Sequence, residues 1–133
     1  MNFIDKALKN NLHGDDFLQA MADIYKEPDV RDILDQYPKF IKDVILIIEY
    51  DTTLTMDGLD EVVNGSMESQ LYELLTALEN CGAVHEANVL RMARELSLEQ
   101  EDEFDRLYDE LALNNDYDEF WDLVREYIDK NLK

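Results

Sequence analysis

Apolar residues recur every three or four positions along most of this chain, which is the spacing of an amphipathic α-helix. The pattern predicts about seven or eight amphipathic helices and an all-α fold. Residues that interrupt helices are scarce, because the chain holds only two Pro and four Gly. The pattern shows no repeat at a fixed period and no linker, so we expect a single domain over residues 1–133.

Breaks in the first third of the chain fall at proline and glycine. The pair His13–Gly14 predicts an interruption, and Asp15 is then a candidate cap for the next helix. Pro28 and Pro38 each suit the first position of a helix. The run VILIIEY, residues 44–50, resembles a buried strand when read alone. We predict a helix there, because the helical apolar pattern begins several residues earlier and no partner strand is visible.

The middle of the chain carries the strongest turn signals. They lie in residues 51–66, DTTLTMDGLDEVVNGS, and Asn64–Gly65 is the clearest turn dipeptide. A helix is predicted from about residue 66 to residue 80. Gly82 is then placed to end that helix as a C-terminal cap glycine.

Helix signals continue to the end of the chain. Val84 begins the inward stripe of the next predicted helix, and Ser97 begins a capping-box pattern for the one after it. Asn114–Asn115 predicts a turn. In the last helix, Tyr117 and Trp121 share the apolar spacing, so we expect both in the core rather than on a ligand-binding surface.

The charge of the chain is far from that of an ordinary domain. It has 32 Asp and Glu against 12 Lys and Arg, a net charge of −20. Nucleic acids and anionic membranes are bound through clustered cations, so neither is an expected partner. With 46% hydrophobic residues the chain is not a disordered acidic tail. A basic protein is the partner that such a field would attract.

The cysteine content and the N-terminal sequence predict a cytoplasmic protein. Cys81 is the single cysteine, so it cannot form an internal disulfide, which is the usual situation in a reducing compartment. The first residues, MNFIDKALKNNLHGDD, lack the apolar stretch of a secretory signal. The longest apolar run, Val44–Ile48, is too short to cross a membrane.

Two helical rows of acids are the candidate functional feature. The segment EQEDEFDRLYDE, residues 99–110, holds seven acids and one base, and the last helix is similarly acidic. Steps of three and four residues place the acids in rows, with neighbours about 6 Å apart, a spacing that resembles that of phosphates along a nucleic-acid strand. Like charges so placed cost roughly 0.2–0.5 kcal/mol each, which suggests a use for them. The alternative is an ordinary solvated surface. The predicted partner-binding residues are Asp102, Asp105 and Asp109 in one row and Glu119, Asp122, Glu126 and Asp129 in the other.

No pattern predicts catalysis, a cofactor or a metal site. His13 and His85 are far apart and lack metal-ligand spacing. Cys81 has no nearby His in the sequence that would activate it as a nucleophile. The segment DTTLTMDG, residues 51–58, lacks the acid spacing of a calcium loop. We therefore expect a protein that is not an enzyme.

The middle and the end of the chain resemble a known family. The segment MDGLDEVVNGS, followed by LYELLTALENCGAVHEANVLRMA, is similar to the bacterial DNA-mimic protein family, a DMP-type acidic all-helical domain of unknown function. The ending FDRLYDELALNNDYDEFWDLVREYIDKN also resembles that family, so the similarity covers roughly residues 37–131. The matching positions are Gly58, Glu61, Val62, Asn64 and Gly65, then Gly82, Ala83, Ala87 and Leu90, with Tyr127 and Ile128 near the end.

The chain also departs from the family pattern. The family has Gly and Phe where Ser66 and Met67 stand, and the segment between Gly65 and Gly82 is several residues shorter. The resemblance implies an all-helical, acidic, dimeric protein. It also implies a DNA mimic, whose carboxylates imitate DNA phosphates and occupy a DNA-binding protein.

Two functions are therefore expected from the sequence. The first is a non-enzymatic DNA mimic that binds the basic surface of a DNA-binding protein, such as a transcription factor. The alternative is an immunity or antitoxin protein that neutralises a basic toxin or nuclease. The same negative field would serve either partner.

Overall fold

The structure, a computed structural model, describes residues 1–96 and 99–132. Every regular element within those residues is helical, which confirms the all-α prediction. The α-helices are α1 (Phe3–Lys9), α2 (Gly14–Met21), α3 (Lys39–Asp57), α4 (Leu59–Asn64), α5 (Leu71–Asn80), α6 (Val84–Arg94), α7 (Glu101–Glu110), α8 (Ala112–Asn115) and α9 (Tyr117–Leu132). Segments of 3-10 helix cover Ala22–Tyr25, Pro28–Gln36 and Glu68–Gln70.

The longest helix, α3, lies at the centre of the fold. All six residues from 43 to 48 are buried, so this part of the helix is enclosed on every side. Helices α2, α4, α5 and α9 pack around it. A helix that is buried on every side has apolar residues at consecutive positions, as a buried strand does. This is why the sequence VILIIEY resembles a strand. The prediction of a helix there is confirmed.

Buried side chains from α1 to α9 join into one connected hydrophobic core. It includes residues as distant in sequence as Ile4 and Ile128, both fully buried. Among the helices that the structure describes, none has both the length and the apolar character needed to cross a membrane.

The end of α5 confirms the predicted role of Gly82. Its φ of +87° lies in the left-handed region, which glycine adopts without a steric cost. The N–H of Ala83 donates to the carbonyl of Leu78 at 2.8 Å, and the N–H of Gly82 donates to Glu79 at 3.0 Å. This pair of bonds is the Schellman motif, which satisfies carbonyls at a helix end.

The start of α2 differs from the prediction. The helix begins at Gly14, and His13 occupies the cap position without a side-chain hydrogen bond to the helix. Asp15 therefore lies inside the first turn, and its prediction as a cap was wrong. The break itself is confirmed, because Gly14 has a φ of +52°.

The predicted turn region of residues 51–66 is largely helical. Helix α3 continues to Asp57, and Gly58, with a φ of +95°, separates it from α4. The turn at Asn64–Gly65 is confirmed at the end of α4. The predicted helix over residues 66–80 begins as a 3-10 segment and becomes α-helical at Leu71.

The helix boundaries predicted from proline and asparagine differ slightly from those in the structure. Pro28 begins its segment as predicted, but the segment is 3-10 rather than α. Pro38 is the N-terminal cap of α3 rather than its first residue. Asn114–Asn115 lies in the short helix α8, which ends there. Ser97, the predicted cap before α7, lies outside the described residues.

Two predicted core residues are half-exposed. Val84 is 50% exposed and Tyr117 is 51% exposed, so their placement in the core was wrong. Each is the first residue of its helix. Trp121, one turn further along α9, is 6% exposed and confirms its prediction as a core residue.

Candidate functional site

The row on α7 is an exposed line of carboxylates. Asp102, Asp105 and Asp109 are all exposed, while Phe104 and Leu107 on the opposite side of the helix are buried. Within the described part of the chain, no Lys or Arg forms an ion pair with any of the three acids. The row therefore presents to solvent three carboxylates that no cation of the described residues pairs with.

The cation on α7 lies outside this row. Arg106 binds Glu103 at 2.9 Å and Glu110 at 3.4 Å. These are exposed pairs at helical spacing, which contribute little to stability. Arg106 thus neutralises acids on its own side of the helix and leaves the row unpaired.

The row on α9 is only partly available. Glu119 and Glu126 are exposed, and neither forms an ion pair within residues 1–96 and 99–132. Asp122 is exposed but lies 2.9 Å from the guanidinium of Arg125. Asp129 is half-buried and accepts a hydrogen bond from the backbone N–H of Gly14 at 2.6 Å. The four acids of this row therefore have different surroundings, although their spacing is regular.

Different parts of the fold carry the two rows. Helix α7 packs against α6 and α4, while α9 packs against α2 and α3. The short helix α8 packs against both α7 and α9 and joins them in sequence. Apart from α8, which both helices contact, the two rows are supported by different neighbours. The assignment of these seven acids to partner binding stays a prediction.

Most cations of the described residues are engaged with carboxylates. In the described residues, eight Lys and Arg side chains form ion pairs, so most of the 12 bases do not offset the unpaired acids. The side chains concerned are Lys26, Arg31, Lys39, Lys42, Arg91, Arg94, Arg106 and Arg125. Within the described residues, the excess of negative charge therefore lies in acids that form no ion pair, and the α7 row is a compact group of them.

Glu86 is a buried carboxylate that the sequence reasoning missed. It is 1% exposed and accepts hydrogen bonds from the hydroxyl of Tyr50 at 2.8 Å and the N–H of Ala112 at 2.7 Å. A longer bond of 3.4 Å comes from the N–H of Leu113. Burial raises the pKa of Glu86, and these hydrogen bonds oppose that shift. The carboxylate joins α3, α6 and the start of α8, which is a structural role.

Asp43 is a second buried carboxylate, on α3. It is 2% exposed and accepts hydrogen bonds from the hydroxyl of Tyr127 at 2.6 Å and the amide of Asn80 at 3.2 Å. Lys39 lies 3.4 Å from its other oxygen. Burial, followed by the charge of Asp43, raises the pKa of the nearby Cys81 thiol to about 12. The thiol therefore stays protonated at neutral pH, which disfavours its use as a nucleophile.

A sequence signal for both buried acids did exist. Asp43 lies three residues after Phe40 and four before Ile47, so it shares their buried face of α3. Glu86 lies four residues before Leu90, on the buried face of α6. An acid within an apolar stripe indicates a buried carboxylate with hydrogen-bond donors around it.

The next features are possible metal-ligand groups and the surroundings of His85 in the described residues. No group of three or more His, Cys, Asp or Glu side chains there is arranged to hold a metal ion. The Nε2 of His85 lies 2.8 Å from the carbonyl of Glu110, a contact between α6 and the end of α7. That the chain is not an enzyme stays a prediction.

Comparison with known proteins identifies the family. A family model described as DMP19-like protein matches residues 35–131, nearly the range over which the sequence resembled the DNA-mimic family. Neither a curated protein nor a solved structure matches the chain. The match confirms the resemblance.

Proposed function

The chain belongs to the DMP19-like protein family, and we propose that it is a non-enzymatic DNA mimic. In this proposal, its carboxylate rows bind the basic surface of a DNA-binding protein such as a transcription factor. The observation that carries the proposal is the row of Asp102, Asp105 and Asp109, three exposed carboxylates on one helix that form no ion pair within the described residues.

The geometry of that row suits a surface that normally contacts phosphates. Steps of three and four residues advance by about 4.5 and 6 Å along a helix with a rise of 1.5 Å per residue. A DNA-binding surface presents Lys and Arg at the spacing of phosphates, and it gains affinity when the counterions there are released. Carboxylates on a packed helix are preorganised, so little conformational entropy is lost when a partner binds.

The proposal also includes Glu119 and Glu126 on α9, and Asp122, whose charge is offset by Arg125. Asp129 contributes less in this proposal, because its carboxylate is half-buried and bound to Gly14. The same proposal places the protein in the cytoplasm, where it meets DNA-binding partners. The proposal also includes that the protein is a homodimer, as the family resemblance implies.

Affinity capture with identification of the bound protein tests this function. The intact chain is immobilised, incubated with lysate of its source organism, and washed with increasing salt. We expect a basic DNA-binding protein to elute as the salt rises and to be displaced by duplex DNA, because the interaction is electrostatic. A nuclease or another toxin in that eluate would instead support the immunity function.

Charge-reversal variants then test the residue assignment. The double variant Asp105→Lys with Asp109→Lys changes the charge of the α7 row by four units. We expect at least a tenfold loss of affinity for the captured partner. The matched control, Asp29→Lys with Asp32→Lys, makes the same change at exposed acids of the Pro28–Gln36 segment and should bind normally. Equal affinity in both variants would remove the α7 row from the interface.

A further inference from the structure

A cavity of about 270 Å³ lies between α2, α3 and α9. Its apolar wall includes Leu18, Ile48 and Trp121, all of them buried. Its polar groups include Asp51 and Arg125, and Tyr117 also lines the cavity. The volume is below the roughly 300–1,000 Å³ of most small-molecule sites. It therefore suits a single long side chain better than a nucleotide or a large cofactor.

The carboxylate of Asp51 is the negative group at this cavity. It accepts a hydrogen bond from the hydroxyl of Tyr117 at 3.1 Å and one from Thr55 at 3.3 Å. Within the described part of the chain, no Lys or Arg forms an ion pair with it. Asp51 is therefore held in place by neutral donors, and no cation of the described residues competes with a ligand for it.

Arg125 does not cancel the negative charge of the cavity. Its guanidinium is bound by Asp15 at 3.0 Å and by Asp122 at 2.9 Å. Asp51 and Arg125 are the charged groups of the lining, and with the two acids that bind Arg125 from outside the cavity the cluster has a net charge of −2. Asp122 belongs to the α9 row, so the cavity adjoins the acidic surface proposed above.

Two aromatic rings complete the site. The rings of Tyr117 and Trp121 have their centroids 6.3 Å apart and meet at 65°. Aromatic faces attract cations, and a guanidinium stacks on them more readily than an ammonium does. The indole nitrogen of Trp121 is buried, so the ring of Trp121 rather than its N–H lines the cavity.

We infer that this cavity binds an arginine side chain of the basic partner, with the guanidinium at Asp51 and the aromatic rings around its stem. The inference rests on the proposed function, since it supplies the anchoring contact beside the acid rows. Arginine is frequent among the few residues that dominate interface energies, where it is enclosed in a pocket. The rows would attract the partner, and the cavity would hold one residue of it.

A small probe tests the cavity separately from any protein partner. Trp121 is the sole tryptophan of the chain, so its fluorescence and its indole N–H resonance report on this site alone. N-acetyl-arginine amide is titrated against the intact protein, with the neutral isostere N-acetyl-citrulline amide as the matched ligand control. We expect saturable changes with the arginine probe only. Binding that does not saturate, or equal binding of citrulline, would overturn the inference.

Variants assign the binding to the named residues. Asp51→Asn should raise the Kd of the arginine probe about tenfold or more, the scale of a lost charge-assisted contact. Tyr117→Leu should weaken binding more modestly, because it removes one aromatic ring. Asp57→Asn, at an exposed acid on the same helix, is the matched control and should bind as the wild type does. Far-UV circular dichroism checks that each variant is folded. Unchanged binding in Asp51→Asn would contradict the inference.

The two proposals fail in different ways. In one outcome, Asp51→Asn still binds both the arginine probe and the captured partner, while the α7-row variant no longer binds the partner. The cavity inference is then wrong, and the DNA-mimic function is still supported. If the lysate yields no basic partner but the arginine probe binds and depends on Asp51, the proposed function fails. The cavity is then supported as a guanidinium site.

Discussion

The carboxylate of Asp129 accepts a 2.6 Å hydrogen bond from the backbone N–H of Gly14, which lies 115 residues earlier in the chain. The first N–H groups of a helix have no partner within the helix, and His13 at the cap position supplies none to α2. Asp129, on α9, therefore caps the N-terminus of α2, and this hydrogen bond joins the two helices.

Removing this acceptor should destabilise the protein. We expect Asp129→Ala to lower the free energy of unfolding by about 1 kcal/mol, the typical cost of losing a helix N-terminal cap. Asp129→Asn should lose less, because its amide oxygen can still accept from Gly14. Urea unfolding followed by circular dichroism measures both. Glu126→Ala, at an exposed acid on the same helix, is the control. Equal losses in the Asn and Ala variants would show that the charge, rather than the hydrogen bond, matters.

Glu86 should contribute a distinct pH dependence of stability. Burial raises its native pKa, so the native state holds this proton more tightly than the unfolded state does. Its contribution to the free energy of unfolding therefore falls as pH rises from the ordinary Glu pKa to the raised native pKa. We expect the stability of the wild type, relative to Glu86→Gln, to decrease across that window.

Urea unfolding at a series of pH values, from acidic to neutral, measures this difference. Glu101→Gln is the matched control, because Glu101 is exposed. A wild-type minus Glu86→Gln difference that is constant, or that grows with pH, would contradict the raised pKa.

The hydrogen bond between Tyr127 and Asp43 should contribute measurably to stability. Asp43 is buried, so loss of the hydroxyl donor at 2.6 Å leaves its carboxylate less well satisfied. We expect Tyr127→Phe to lower the free energy of unfolding by about 1.5–3 kcal/mol, the range for hydrogen bonds to charged groups. Tyr72→Phe removes a hydroxyl from a side chain that is 82% exposed and should change little. Similar results for the two variants would refute the structural role of this bond.

Cys81 should react slowly in the native protein. Its side chain is 7% exposed, and its pKa is raised to about 12, first by burial and then by the charge of Asp43. Only the thiolate is a good nucleophile, so we expect modification by iodoacetamide at pH 8 to be much slower than in urea. Mass spectrometry of timed samples measures the rate. Asp43→Asn should retain most of the protection, since burial is the larger cause. Rapid labelling of Cys81 in the native wild type would contradict the raised pKa of this thiol.

The α7 row shows what a local pattern can predict about a surface. Asp102, Asp105 and Asp109 alternate with Phe104 and Leu107, so their exposure follows from one helix packing on one side. The α9 row has the same spacing, yet its last member is half-buried and bound. The spacing of residues places side chains on one face of a helix, but it does not determine which residues of other helices contact them.

What the sequence alone determined is local: the helical class, helix ends such as Gly82, the excess of acids and the family. Helical periodicity and capping depend on residues within one or two turns of each other, so they can be read directly. Only the tertiary structure decided which acids are free, because the partners of Glu86 and Asp129 come from distant helices. The cavity beside Asp51 arises in the same way, since its walls belong to three helices that meet only when the chain is packed.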